Sequence, residues 1–272
     1  MFIWRRYDGK RQLSFVGSGI SDYCGIICAE NKKDLFAREF LNFILNSASD
    51  LWDVCLLEDI QSSSPLLTAV AQTPLLNAWR GAVCPSVCLP DSFEKYMAGL
   101  ARSKRERLER SQKKLARLGM HVESVSRQED VPRALEIFFS LHEKSWKHRG
   151  QEGVINTDAL KGFYRAASTA LAEAGILRIY LMSIRSGGSK NYIAALYAMF
   201  HRGRAYCYLG GFDPEFEKLS AGSVAVMHAI KEAIESRISE FDFLRGAEPH
   251  KYTWGANDSF NWNISGLSRG VN

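Results

Sequence analysis

Several features that would place this chain in a protein class are absent from its sequence. No apolar run is long enough to span a bilayer, and the first residues, MFIWRR, lack the apolar core of a signal peptide. The six cysteines include two C-x3-C pairs, but no histidine lies at zinc-module spacing from them. We therefore expect a cytoplasmic protein with reduced thiols, no membrane span and no metal site.

Catalytic signatures built on an enzyme nucleophile are missing too. No serine, histidine and aspartate stand in a pattern typical of a triad, and no internal repeat or low-complexity segment occurs. With 272 residues, of which 46% are hydrophobic, the chain can bury a sizeable core in one large or two small domains. Composition alone thus indicates a globular protein and leaves its chemistry to local patterns.

The most informative stretch combines two strand patterns with a helix between them. Alternating tyrosines predict a strand over Arg204–Leu209 that Gly210-Gly211 ends. Apolar residues spaced three and four apart then predict a half-buried helix, and a second strand follows at Phe241–Leu244. Such a unit is right-handed and parallel, so the loops that follow its strands should lie at one end of the sheet, where ligands usually bind.

The loop before this helix is built from small side chains. Ser220 is a candidate N-cap, and Ala221, Gly222 and Ser223 would let a phosphate approach backbone N–H groups at the positive end of the helix. We therefore expect an anion site at these residues, provided that the loop is exposed.

The remaining patterns predict the order of elements and the domains. Between residue 120 and residue 210 they predict a strand, two helices and an antiparallel meander, at 121–125, 132–148, 158–174, 177–184, 192–200 and 204–209. Turns are predicted at 186–189 and 202–203. The upstream elements are two strands and a helix, at 12–16, 52–57 and 34–46. The predicted domains are a partial N-terminal half, a linking helix, a main domain and a tail, at 1–95, 96–120, 121–260 and 261–272.

Several segments together resemble a known family. They are LHEKSWKHRG (141–150), GGFDP (210–214), SAGS (220–223) and FDFLRGAEPHKYTWG (241–255). These segments are similar to the GNAT-type acyltransferase domain of CelD-like cellulose and exopolysaccharide biosynthesis proteins. The resemblance implies an α/β (α+β) fold, in which a mixed twisted sheet is flanked by helices. Because family members usually carry more sequence upstream, it also implies tandem GNAT-like halves of which the first is incomplete.

The resemblance implies a reaction and leaves its donor open. It implies acyl transfer, with acetyl-CoA as donor and a small-molecule or sugar-linked acceptor such as an amino sugar or sugar precursor. The closing pattern, an acidic residue followed by Lys, an aromatic residue and Gly, is also similar to FemAB-type peptidyltransferases, which take aminoacyl-tRNA as donor. A third alternative is a non-catalytic GNAT-fold module of a polysaccharide synthesis system.

Roles in the donor site follow from the resemblance. Backbone N–H groups at Tyr208 and Leu209 are candidates to polarise the acyl carbonyl, and residues 220–223 are candidates to bind the pyrophosphate of the donor. The hydroxyls of Tyr208 and Tyr252 are candidates to protonate the leaving thiolate. These assignments place the donor between the two strands of the parallel unit.

Candidate catalytic side chains gather around the end of the second strand. Asp242, Glu248 and His250 are candidate general bases, and Glu248 is favoured because it lies in the loop. Asp242 alternates with two phenylalanines, so it is either a base on a buried face or the partner of Arg245 or Lys251 in a salt bridge. Lys251 is expected to stabilise a developing oxyanion or leaving group, as the FemAB-type pattern implies. Arg245 either grips a substrate anion or pins the loop.

Candidate acceptor residues lie on the helix predicted to end near residue 150. His142, Trp146 and Arg149 are spaced four and three apart, which puts them on one face. They either line an acceptor cleft, where Trp146 stacks on a sugar ring and Arg149 binds an anion, or they belong to the core and the helix end. Tyr252 completes the expected acceptor-binding residues.

Positive charge is concentrated in one predicted helix. Residues 101–118 carry eight basic and two acidic residues, a net charge of +6, whereas the whole chain carries +5. Four leucines predict a thin apolar stripe, with arginines and lysines covering the remaining faces. The helix is either a solvated linker or a surface that captures an anionic ligand, and a tRNA acceptor stem would need the longest such surface.

Overall fold

The chain folds into two compact units. A computed structural model describes residues 2–7, 9–186 and 189–268. The first unit comprises Met1–Pro85, Arg245–Ala247 and Asp258–Asn272, and the second comprises Ser86–Leu244 and Glu248–Asn257. The first division falls at residue 85 rather than near residue 95, so the basic helix lies inside the second unit.

The described strands and helices are labelled in chain order. The strands are β1 (Phe2–Tyr7), β2 (Lys10–Phe15), β3 (Val54–Gln61), β4 (Asn77–Cys88), β5 (His121–Val125), β6 (Leu177–Ser186), β7 (Ser189–His201), β8 (Arg204–Phe212), β9 (Glu240–Asp242) and β10 (Asn257–Leu267). The helices are α1 (Lys33–Asn42), α2 (Pro65–Val70), α3 (Phe93–Gly99), α4 (Arg102–Arg117), α5 (Val131–His148), α6 (Asp158–Glu173), α7 (Ala221–Glu235) and α8 (Pro249–Tyr252). Within the described residues, no helix has both the length and the apolarity that a bilayer crossing requires.

The first unit is a sheet with two helices. Its strands follow the order β1-β2-β3-β10-β4, with β2 parallel and β10 antiparallel to β3. Apolar residues of α1 and α2 join those of the strands in one core, in which Trp52 is fully buried and its indole N–H donates to the Ile44 carbonyl at 2.9 Å. The burial of these apolar side chains stabilises the first unit.

Residues 261–267, expected to begin a tail, instead continue β10. They pair antiparallel with β3, and the register shifts between Trp262 and Ile264. Two steps along β10, from Trp262 to Ile264, match three steps along β3, from Ile60 to Leu57, so β3 carries the extra residue of a β-bulge. Asn261 of β10, ahead of this shift, is buried.

The second unit has a mixed sheet in the strand order β4-β9-β8-β7-β6-β5. The strands β5 to β8 form an antiparallel meander, β9 is parallel to β8, and β9 is antiparallel to the end of β4. The predicted parallel unit of β8, α7 and β9 is therefore present. Together with the flanking helices, this sheet confirms the predicted fold class.

Helices cover both faces of the second sheet. Odd-numbered residues of β6, such as Ile179, share a core with α5 and α6, and even-numbered residues, such as Met182, share a core with α4 and α7. This division follows from the alternation of side chains along a strand. The leucine stripe of α4 faces this core through Leu108 and Leu115, which are buried as predicted.

The strand β8 does not end at Gly210-Gly211, where the sequence predicted a break. It continues to Phe212 and pairs with β7 along its whole length. A Cβ built at Gly211 would overlap the backbone of Leu141 and His142, so the glycine permits α5 to pack against the strand. The strand β9, in contrast, is shorter than predicted and ends at Asp242, ahead of Leu244, whose φ is +60°.

The two turns predicted in the meander differ in how far the structure describes them. Arg202 and Gly203 both have positive φ, +48° and +77°, which matches the tight hairpin turn predicted between β7 and β8. Residues 187–188 of the predicted turn at 186–189 lie outside the described residues.

Candidate active site

The parallel strands β8 and β9 of the second unit stop pairing at the C-terminal end of β9. Pairing between β8 and β9 reaches Tyr206 and Asp242, and β8 then continues without β9. At the same point the register with β7 slips, because Tyr197 pairs with Leu209 while the next residue pairs with Cys207. Tyr208 is therefore the extra residue of a β-bulge. The opening and the bulge lie at Tyr208 and next to Leu209, whose backbone N–H groups were expected to polarise an acyl carbonyl.

The helix α7 begins next to this strand in the chain and has an uncapped N-terminus. Ser220 occupies the N-cap position, as predicted, but it has a φ of +52° and its side chain makes no capping hydrogen bond. Among the described residues, nothing accepts from the N–H groups of Ala221, Gly222 or Ser223. A Cβ built at Gly222 meets no atom within 4 Å, so the space at the helix end is open. The positive end of α7 is thus accessible to an anion.

Lys251 is buried on the short helix α8. Its side chain is 9% exposed, and Nζ donates to the Leu244 carbonyl at 3.1 Å and pairs with Glu248 Oε2 at 2.9 Å. Burial raises the pKa of Glu248, but the hydrogen bond from Lys251, a backbone hydrogen bond and the charges of Lys251 and His250 together hold it below its usual range. Glu248 is therefore ionised at neutral pH, and it is a weaker base than a free glutamate.

Asp242 is 1% exposed and holds the backbone at the end of β9. Its Oδ1 accepts from the Leu244 N–H at 2.8 Å, and its Oδ2 lies 3.8 Å from the guanidinium of Arg204. Asp242 thus lies on a buried face, the condition that the base role required. Arg204, which the sequence did not suggest as a partner, lies within ion-pair distance of this carboxylate.

A family model and three solved structures are similar to this chain. A model described as acetyltransferase (GNAT) domain matches residues 102–252, more than half of the chain. The chain belongs to the GNAT acetyltransferase domain family. Membership indicates an acyltransferase, and the matched region includes the opened strands, the start of α7 and Lys251.

Solved structures share the fold of this GNAT protein at low sequence identity. A crystal structure of FemX has a TM-score of 0.71 and 11% identity, and the match covers 99% of this chain and 84% of that one. The C-terminal domain of a putative lysylphosphatidylglycerol synthetase from Agrobacterium fabrum has a TM-score of 0.64 and 12% identity, covering 97% and 79%. L-PGS from Bacillus licheniformis has a TM-score of 0.61 and 10% identity, covering 98% and 81%. No curated protein shows a significant match to the chain.

The predicted acceptor residues of the GNAT domain have different surroundings. His142 is 2% exposed, stacks on Phe138 and contacts the Gly210 carbonyl through Nδ1 at 3.0 Å. Burial lowers its pKa, so it is neutral at pH 7. Trp146 is half-buried, and the exposed Arg149 lies over its ring at 5.5 Å. Trp146 and Arg149 thus reach the surface together, whereas His142 packs inside the GNAT domain.

The tyrosines named for thiolate protonation also differ in their surroundings. The Tyr208 hydroxyl lies 2.9 Å from that of Tyr164, and its ring packs edge-on against Tyr197. Tyr252 is 37% exposed. Tyr208 is therefore a member of an aromatic cluster beside the bulge, and Tyr252 reaches solvent.

Arg245 is positioned in the first unit by acidic side chains. Its guanidinium lies 2.7 Å from Asp59 and 3.7 Å from Asp22, and it also donates to the Gly19 carbonyl. Asn261 donates to the Asp59 carboxylate and to the Asp22 carbonyl, which extends this network. The alternative in which Arg245 pins its loop fits these contacts, although its partners are not the carboxylates that the sequence suggested.

Lys104 is a cation that sequence reasoning overlooked. It is 7% exposed, and its Nζ lies 3.7 Å above the centre of the Trp254 ring. Among the described residues, no carboxylate lies within 4 Å of it. Burial, with a smaller effect of Arg107, lowers its pKa to about 8. The spacing of residues in the sequence could have indicated this burial. Lys104 lies four residues before Leu108, which puts it on the leucine stripe of the helix and not on the solvated face.

The surroundings of α8 are electropositive. Desolvation lowers the pKa of His250, and Lys251, Arg149 and Lys104 lower it further, against an opposing effect of Glu248. Three cationic side chains therefore act on His250 and one carboxylate opposes them. This part of the GNAT domain can accept a negatively charged group.

Proposed function

We propose that the protein is an N-acyltransferase that transfers an acyl group from acetyl-CoA to an amino sugar or sugar precursor in exopolysaccharide or cellulose biosynthesis. The observation that carries this proposal is the opening between β8 and β9, with its bulge at Tyr208 and the uncapped start of α7. A donor with a thioester and a pyrophosphate matches both features. The thioester carbonyl needs backbone N–H groups, and the pyrophosphate needs an anion-binding helix end.

Donor binding is assigned to backbone groups. The N–H groups of Ala221, Gly222 and Ser223 bind the pyrophosphate, and those of Tyr208 and Leu209 polarise the thioester carbonyl. Ser220, immediately before Ala221, has a φ of +52° and makes no side-chain capping hydrogen bond that would compete for the N–H groups of this turn. Small side chains in the first turn of α7 leave room for the phosphates.

Catalysis is a direct attack of the acceptor amine on the carbonyl carbon. The new C–N bond forms, the amine proton passes to the Glu248 carboxylate, and the C–S bond breaks. The leaving thiolate takes a proton from the hydroxyl of Tyr208 or Tyr252. Lys251 stabilises the negative charge that develops in this step, and its contacts with Leu244 and Glu248 fix its ammonium group.

The acceptor is expected to carry a negative charge next to its sugar ring. Trp146 offers an aromatic face with Arg149 beside it. Lys104 supplies a buried ammonium group without a carboxylate partner among the described residues. A phosphate or carboxylate on the acceptor would compensate the charges that surround α8.

A second candidate is transfer of an aminoacyl group from tRNA. Two observations favour it: the fold of FemX matches over 99% of this chain, and α4 exposes a row of basic residues. The exposed members that have no carboxylate within 4 Å among the described residues are Arg107, Lys113, Lys114 and Arg117. This candidate requires binding that weakens steeply with salt, since phosphate contacts release counterions.

The test is a turnover assay with acetyl-CoA and glucosamine 6-phosphate as the acceptor probe. Thiol release and amide formation are measured together, and the proposal expects equal amounts of both. Thiol release without amide would indicate hydrolysis. If neither product forms with acetyl-CoA but charged tRNA supports amide formation, the second candidate replaces the first. Failure of both donors with a folded protein would leave the non-catalytic role.

A further inference from the structure

The second unit contains a cavity that none of the candidate active-site residues lines. It lies between β5, β6 and the second half of α7, and its volume is about 370 Å³. The polar side chains around it are Ser124, Tyr180, His228, Lys231, Glu232 and Glu235. His121 and the apolar residues Met120 and Val122 complete its lining. This size is at the lower end of ligand pockets and suits a molecule of one ring.

Two buried polar atoms of this cavity have no hydrogen-bond partner among the described residues. They are Tyr180 Oη and His228 Nε2, and the Tyr180 side chain is 1% exposed. Glu232 and Ser124 lie near enough to Tyr180 to shift its pKa in opposite directions, but neither forms a hydrogen bond with it that satisfies normal geometry. Buried polar atoms without partners oppose folding, so phenylalanine would suit the fold at least as well as Tyr180.

The charges around the cavity nearly cancel. Glu232 is paired with Arg178 at 3.0 Å, and Lys231 lies 3.7 Å from Glu235. Burial, assisted by Lys231, lowers the pKa of His228, so its ring is neutral at pH 7. The ligand should therefore be uncharged. Hydroxyl groups both donate and accept, so they match a wall that offers carboxylates, hydroxyls, an ammonium group and a neutral imidazole.

We infer that this cavity is a second ligand site, which binds a small uncharged polyhydroxylated ring, with Tyr180 Oη and His228 Nε2 at its base. The site is independent of the proposed acyl transfer, because it uses other residues of the second unit. Its ligand supplies the hydrogen bonds that the two buried atoms lack.

The experiment is a titration of the full chain, labelled in tyrosine and histidine, with D-glucose and separately with myo-inositol. Nuclear magnetic resonance should show a saturable shift of the Tyr180 and His228 signals with at least one of them. Tyr180→Phe should weaken this binding tenfold or more while its unfolding midpoint stays unchanged or rises. The matched control is Tyr192→Phe, on β7, which removes a hydroxyl that Arg133 contacts outside the cavity.

The inference is overturned if neither ring compound gives a saturable shift, or if Tyr180→Phe binds as well as the wild type. Either result would mean that ordered water alone meets the two polar atoms. His228→Leu provides a second variant with the same expected loss of binding, so the inference stays testable if Tyr180→Phe does not fold.

Discussion

Two cations of this chain, one in each unit, have opposite surroundings. In the first unit Arg245 is part of a network with Asp59 and Asp22, and its side chain remains 33% exposed. In the second unit Lys104 is more deeply buried, and an aromatic ring takes the place of a carboxylate. Burying a charge is costly unless it is paired. The difference shows that acidic side chains offset the burial of Arg245, whereas no carboxylate among the described residues lies close enough to do so for Lys104.

The largest expected effect is a loss of stability when Arg245 loses its carboxylate partner. Asp59→Ala removes the 2.7 Å partner of Arg245 and leaves its guanidinium and the Asn261 amide without that carboxylate. We expect the free energy of unfolding of the first unit to fall by about 3 kcal/mol, as measured by urea denaturation. Glu30→Ala, which breaks an exposed pair with Lys33, should cause no measurable loss. Equal losses in both variants would contradict the role of the network.

The next effect concerns Lys251, which is buried yet paired. Lys251→Met should lower kcat for acetyl transfer about tenfold or more, because it removes the charge that stabilises the transition state. Acetyl-CoA affinity should change much less, since backbone groups bind that donor. Lys95→Met, at an exposed lysine paired with Asp91, is the matched control. A Lys251→Met variant that is folded and fully active would exclude the proposed mechanism.

A smaller effect is expected at Lys104. Lys104→Met retains the length of the side chain and removes its charge, so KM for glucosamine 6-phosphate should rise about tenfold, whereas KM for glucosamine should change little. The free energy of unfolding should stay the same or increase, because a buried unpaired charge is lost. Lys113→Met changes an exposed lysine of the same helix and should alter neither value. Equal effects on both sugars would show that Lys104 does not contact the anion.

A further prediction concerns the pH dependence of stability. Burial lowers the pKa of Lys104 from 10.5 to about 8. Above about pH 8 the folded state has released this proton while the unfolded state still binds it, so the unfolded state binds more protons. The stability of the wild type should therefore rise relative to Lys104→Met between pH 8 and pH 10.5, with no such change below pH 8. Urea midpoints of both proteins across this range measure it, and a constant difference would contradict the pKa shift.

Much of the second unit could be predicted because its elements follow simple periods. The predicted bounds of β5 agree with the structure, and the predicted parallel unit of β8, α7 and β9 is present. The extension of β8 through two glycines was missed, since the close packing of α5 that requires Gly211 is a tertiary contact. In the first unit, residues 261–267 were predicted as a tail, because their pairing with β3 is a long-range contact that no local pattern indicates.

The candidate site was predicted unevenly for a related reason. Residues at the start of α7 and at Lys251 could be named because motifs carry them. The partners of Asp242 and Arg245 are distant in sequence, at Arg204 and Asp59, and no local pattern indicates them. The burial of Lys104 was not predicted, because a lysine in a basic helix is ordinarily solvated.

The most direct test of the account is a calorimetric titration with acetyl-CoA. The wild type should bind it with micromolar affinity, and Gly222→Glu should abolish binding, because the new carboxylate lies at the open end of α7. Gly162→Glu is the matched control, since it also meets open space, on α6, and should bind normally. No binding by the folded wild type, or equal binding by Gly222→Glu, would contradict a donor site at this helix end.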